Sequence, residues 1–228
     1  MEKIKKWFGT TTGKVVGVIA ILMIIGAVSG SDDKKSPSSG STKSTVATAA
    51  PVDPVKLEAD KARLAELKKK FDYKYDEFEK KGWYMAKTQA VANIYNSQML
   101  GVHVNNVGYA YLEDQYYGSD WIFHTRTEVK IGEAIYKTDD IQTYDDNNST
   151  NNSGGSVWEN ISYTAERDNG IIKAIAESED QPVKVRFAGG SGGVKDFTLT
   201  KRDQQAIKDA YELSNLIKST GDTGAPQS

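Results

Sequence analysis

Hydrophobic positions along this chain follow different rules in different stretches. From Val15 to Val28 the sequence reads VVGVIAILMIIGAV, an apolar run without a charge. Ser29 to Pro54 (SGSDDKKSPSSGSTKSTVATAAPVDP) then offers almost nothing to bury and reads as a flexible tether. Helical spacing starts at Asp53 and Pro54, an N-cap with proline at the first helical position, and Leu57, Leu64, Leu67 and Phe71 mark one narrow apolar stripe. Packing of that stripe on the following domain is expected, with a short dimerising stalk as the alternative.

From about Trp83 the period falls to two. GWYMAK, QAVANIYNS, VGYAYLEDQ, DWIFHTRTEVKI, EAIYKT, VWENISYTA, VKVRFAG and KDFTLT are short, rich in β-branched and aromatic residues, and separated by turn-forming residues. Such a series predicts a mainly β, α+β fold: an antiparallel β-sandwich or partly closed barrel with flanking helices. One helix is expected in NGIIKAIAESED behind Asp168 and Asn169. The last one opens at Thr200 and Asp203 in capping-box spacing and carries Ile207, Ala210, Tyr211, Ser214 and Ile217 along one face.

The implied organisation is a basic segment over 1–14, a transmembrane anchor or signal-peptide core over 15–30, a tether over 31–53, an extracytoplasmic helix plus β-rich domain over 54–218, and a disordered tail over 219–228. Val15 to Val28 at about 1.5 Å per residue spans roughly 21 Å, short of the ~30 Å hydrocarbon core. A permanent anchor, with Lys14 snorkelling and Trp7 and Phe8 at the interface, is the preferred reading. Cleavage after the small residues of Ala27–Ser29, releasing a secreted protein, is the other. Lys3, Lys5, Lys6 and Lys14 all precede the apolar run, so both readings leave the N-terminus in the cytoplasm and send the rest across the membrane.

Composition narrows the chemistry further. The chain has 228 residues, a net charge of −2 and no cysteine, which excludes disulfides, thiolate catalysis and zinc–thiolate sites. Its lysines outside the N-terminus are interleaved with acids, so nucleic acid is not an expected partner. No motif for a cofactor or a metal is found. Asp145, Asn147 and Ser149 resemble the start of a calcium loop but lack its glycine and its terminal glutamate, and the GGSGG run at 189–193 does not precede a helix as a phosphate loop does.

The segment YYGSDWIFHTR collects the remaining candidates. A type II′ loop at Gly118 and Ser119 would place Tyr117 opposite Asp120, Tyr116 opposite Trp121 and Glu113 opposite His124. Alternation then sends Trp121, Phe123, Thr125, Thr127, Val129 and Ile131 inward, and Ile122, His124, Arg126, Glu128 and Lys130 to solvent. In VWENISYTA the same rule turns Val157, Ile161, Tyr163 and Ala165 inward and leaves Trp158 with Asn160, Ser162 and Thr164 on the polar face. Tyr116, Tyr117, Asp120 and Trp158 are therefore candidate binding residues, suited to stacking on a sugar or filling a partner's pocket. Glu113, Asp120 and His124 are the only group resembling an acid–base site.

The cytoplasmic lysines, the apolar segment and the Ser-rich tether, followed by GWYMAK, YYGSDWIF, VWE, VRFAG and LT before a final helix, resemble a set of uncharacterised, membrane-tethered extracytoplasmic bacterial domains, some in mobile or phage-derived genomes. The resemblance covers about Phe71 to Lys218 and implies the strand assignments but no activity. This chain departs from the set at Asp114, an inward position that is usually apolar. The expected function is a membrane-anchored module that binds an envelope protein or polysaccharide. The alternatives are an envelope hydrolase using Asp120, Glu113 and His124, and a prophage membrane protein that contacts entry machinery to exclude superinfection.

Overall fold

The structure, a computed structural model, describes residues 53–164, 166–190 and 192–224. The apolar run Val15–Val28, nearly all of the tether and residues 225–228 lie outside the described part. Among the described residues no helix is long and apolar enough to cross a membrane.

Helix α1 (Pro54–Lys68) starts where the caps predict, with the Asp53 carboxylate accepting from Val55 N at 3.0 Å. Six strands follow: β1 (Phe71–Asp76), β2 (Lys81–Ala86), β3 (Gln98–Asn105), β4 (Ala110–Gly118), β5 (His124–Ile131) and β6 (Ala134–Lys137). After them come β7 (Asn148–Ser153), β8 (Ser156–Tyr163), the short helix α2 (Ile171–Ala176), β9 (Val183–Gly189), β10 (Val194–Thr198) and α3 (Lys201–Thr220). Thr200 caps α3 by accepting from Asp203 N at 3.2 Å, the predicted capping geometry. The helix runs to Thr220, past the expected boundary, and Asp222 beyond it pairs with Lys68 at 2.9 Å.

The strands form two antiparallel sheets, ordered β1-β2-β3-β4-β8-β7 and β10-β9-β5-β6. Each sheet ends in edge strands and neither closes on itself, so the partly closed barrel considered from the sequence is not formed. Helix α3 lies against β2, β3 and β4, α1 and α2 pack on α3, and the smaller sheet meets the larger one at β5 and β8. Leu64, Leu67, Leu112, Ile161, Tyr163, Phe187, Ile207 and Leu213 belong to one continuous apolar core. The α1 stripe is thus used within the domain. The bidentate Arg63–Glu212 pair at 2.6 and 2.7 Å fixes α1 to α3 from outside.

Several elements differ from the sequence expectation, each for a physical reason. QAVANIYNS is a loop carrying a single bridge between Asn93 and Asn96, not a strand. The strand lies just after it, as β3, where Gly101 and His103 are buried because Gln89 of that loop folds over them. Strand β1 begins at Phe71, which the helical stripe had claimed. Polar β7 is an edge strand, exposed on nearly all positions.

The largest correction concerns YYGSDWIFHTR. No hairpin forms at Gly118–Ser119, because β4 pairs with β3 and β8 while β5 pairs with β9 and β6. Residues 119–123 instead form a strap that carries the chain from one sheet to the other. Gly189 and Gly193 make room for it: a Cβ at either would press on the Ile122 backbone. Phe123 takes a left-handed φ of 51° and is 48% exposed, not in the core. A register shift between His124 and Arg126 then reverses the alternation, so that Ile122 and His124 are buried while Thr127, Val129 and Ile131 keep their predicted inward places.

Candidate functional site

Two groups of residues on β4 and β8 could carry function, and they lie on opposite sides of the same strands. The inner group is a buried polar seam between the sheets. Asp114 on β4 and His124 on β5 are both 0% exposed, with Asp114 Oδ1 at 3.4 Å from His124 Nδ1. Thr127 donates to Asp114 Oδ2 at 2.5 Å and the Ile161 amide donates to Oδ1 at 3.0 Å. His124 Nε2 stands 3.0 Å from the Arg126 carbonyl, which only accepts, so Nε2 donates there, while Nδ1 faces Asp114 without a hydrogen bond to any described residue. The imidazole stacks on Phe187 with centroids 4.6 Å apart.

Burial pushes the Asp114 carboxyl above the usual carboxylate range, against the opposing pull of His124, Thr127, the Ile161 amide and Tyr163. Tyr163, whose phenol burial and Asp114 also push up, lies in the same inner row of β8. Glu159, 1% exposed in that row, accepts from the backbone amides of Ile122 and His124 at 2.6 Å each. It ties the strap to β8 where no strand pairs with it. Asn148 completes the seam by donating to the His124 carbonyl at 2.9 Å.

The outer group is an aromatic and amide face. Tyr117 and Trp158 are directly paired across β4 and β8, their rings 4.9 Å apart and inclined at 59°. The Tyr117 hydroxyl is 2.8 Å from Ser156 Oγ. Asn160 and Ser162 continue the outer row of β8, opposite Gln115 and Glu113 on β4. Toward β3 this face is closed by the loop after β2: Ala92 N donates to Gln115 at 3.1 Å, while Glu113 is held by His103 at 2.9 Å. Toward β7 no described residue covers it.

The structure separates the residues singled out in the sequence. Tyr117 and Trp158 come together, both half-buried. Tyr116 does not join them: it is 2% exposed on the inner side, and its hydroxyl donates to the Asp120 carbonyl at 3.1 Å. The Asp120 side chain is exposed in the strap and accepts from Ser119 Oγ at 2.9 Å. Glu113, Asp120 and His124 do not converge, since Glu113 faces outward on β4, His124 is sealed in the core, and Asp120 is in solvent. Asp114 and Glu159 went unrecognised as seam residues, although each is an acid in an otherwise apolar inward row, a signal the alternation of their strands contains.

With this geometry the protein's class is a two-sheet antiparallel domain with helices on one side and an open aromatic face on the other. No known protein family, curated protein or solved structure matches the chain.

Proposed function

We propose that the chain is a membrane-tethered binding module whose exported domain, built as a two-layer β-sandwich with helices, engages an envelope component through the outer face of β4 and β8. The observation that carries this reading is the Tyr117–Trp158 pair, two aromatic rings set side by side on the outer sheet face next to Asn160, whose side chain bonds no described residue. Large aromatic side chains of this kind supply contact area at low conformational cost. The tethered placement is supported by the lysine-flanked apolar run and the Ser-rich segment that precede the domain. The buried seam, by contrast, is closed to any ligand and serves to hold the sheets and the strap together.

Photo-crosslinking tests the surface. A photoreactive residue in place of Asn160 in the full-length protein, expressed in its native envelope, is expected to give an adduct that disappears when Tyr117 and Trp158 are both changed to alanine. Recovery of the same material by the double variant would sink the surface assignment. External protease on intact cells or spheroplasts should digest the domain; protection would contradict the topology.

A further inference from the structure

Resting on that reading, we infer that the ligand of the outer β4–β8–β7 face is an uncharged polysaccharide, with a sugar ring stacked on Trp158 and its hydroxyls bonded by the amides and hydroxyls around it. Asn160 and Ser162 lie along β8 from Trp158, and Ser149 and Asn151 of β7 stand directly across from Asn160 and Trp158. The Trp158 indole N–H and the side chains of Asn160, Ser162 and Ser149 make no hydrogen bond to any described residue. Amides and hydroxyls both donate and accept, as sugar hydroxyls do, so each free group has a complement on a polyol without an ion pair. The apolar face of a pyranose fits an aromatic ring.

Charge decides between polymers. Strands β4, β7 and β8 contain no lysine or arginine, and Glu113, the carboxylate on the outer row of β4, is already engaged by His103. A phosphate-rich or sulfated polymer would meet no lysine or arginine on these strands, whereas the outer face of the other sheet carries Lys130, Lys184 and Arg186, the first paired with Glu133 and the last with Asp196. The shape decides between sizes. Small free sugars are held in concave sites that enclose them, while this face is a sheet surface uncovered by described residues at the β7 edge, and it repeats its polar positions every ~6.8 Å along each strand.

The test uses full-length protein in detergent and the neutral polysaccharide fraction of the native envelope, freed of protein by protease and of anionic polymers by ion exchange. Co-sedimentation with that fraction is expected. Trp158→Ala should weaken it by about ten-fold or more, Trp158→Phe should retain most of it, and Asn160→Ala should weaken it several-fold. Raising salt from about 0.05 to about 0.5 M should leave it unchanged, because no ion pair contributes. Binding to the anionic fraction with salt-sensitive affinity would overturn the inference. So would the neutral fraction failing to bind while crosslinking from the Asn160 position yields a protease-sensitive partner; that result leaves the binding surface itself intact. Loss of both the glycan binding and the Trp158-dependent crosslink would remove the surface reading as well.

Discussion

Trp158 and Glu159 are neighbours on β8 and do opposite things. Glu159 turns inward, where its two carboxylate oxygens satisfy the amides of Ile122 and His124 at 2.6 Å and fix the strap between the sheets. Trp158 turns outward onto Tyr117, with its indole N–H bonded to no described residue. The difference shows how one strand divides its side chains by its pleat: Glu159 inside has both carboxylate oxygens engaged and ties two elements together, while Trp158 outside makes no hydrogen bond to any described residue. Substitution on the inner row should therefore change stability, and on the outer row it should change binding.

The largest expected effect is at Glu159. Glu159→Ala strands two buried amides and opens space beneath the strap, so it should lower the unfolding free energy by about 3–5 kcal/mol, read from urea denaturation. A loss below about 1 kcal/mol would mean that the strap is held by other contacts. Next is Gly189→Ala. Its Cβ would overlap the Ile122 carbonyl oxygen, a backbone atom that cannot rotate away, and a cost of about 1–3 kcal/mol is expected together with loss of the Ile122 and His124 amide protection in hydrogen exchange. Unchanged protection would show that the strap does not depend on that close approach.

Asp114 refines the inner half of the comparison through pH. Burial raises its carboxyl in the folded state, so the folded protein keeps the proton at pH values where the unfolded chain has released it. That contribution to stability is fully present below the unfolded value of about 3.9 and is lost as pH rises through the raised folded value. His124, Tyr163 and Thr127 face this carboxyl and remain in place in Asp114→Asn, which keeps an acceptor for the Ile161 amide. The variant should then lose less stability than wild type as pH rises from about 4 toward neutrality in paired urea titrations. Equal slopes would show that Asp114 is ionised throughout that range.

Much of the scaffold was legible because local chemistry decides it. Asp53–Pro54 and Thr200–Asp203 cap helices wherever they stand, and the alternation from Thr125 to Ile131 reports a strand with one face buried. Sheet partnership was not legible, because a Gly–Ser dipeptide in YYGSDWIF looks the same whether the chain turns back on itself or crosses to another sheet. The face of His124 was hidden by one register irregularity, which reverses the side chains before it relative to the strand that follows. Strand β3 escaped since both of its faces are covered and alternation disappears. Polar edge strand β7 escaped since neither face is buried. At the candidate site, the outward placement of Trp158 followed from its strand's alternation, whereas its pairing with Tyr117 depended on the β4–β8 partnership.

The smallest structural effects are expected on the outer row. Trp158→Ala removes one cross-strand ring contact and should cost about 1 kcal/mol or less, and Asp120→Ala, exposed in the strap, should fall within about 0.5 kcal/mol.

One side-by-side measurement tests the division of labour on β8 most directly: urea unfolding and envelope capture of full-length Trp158→Ala and Glu159→Gln. The account predicts that Trp158→Ala unfolds within about 1 kcal/mol of wild type and loses capture, while Glu159→Gln loses about 1–3 kcal/mol and its folded fraction captures normally. Normal capture by Trp158→Ala at wild-type stability would contradict it.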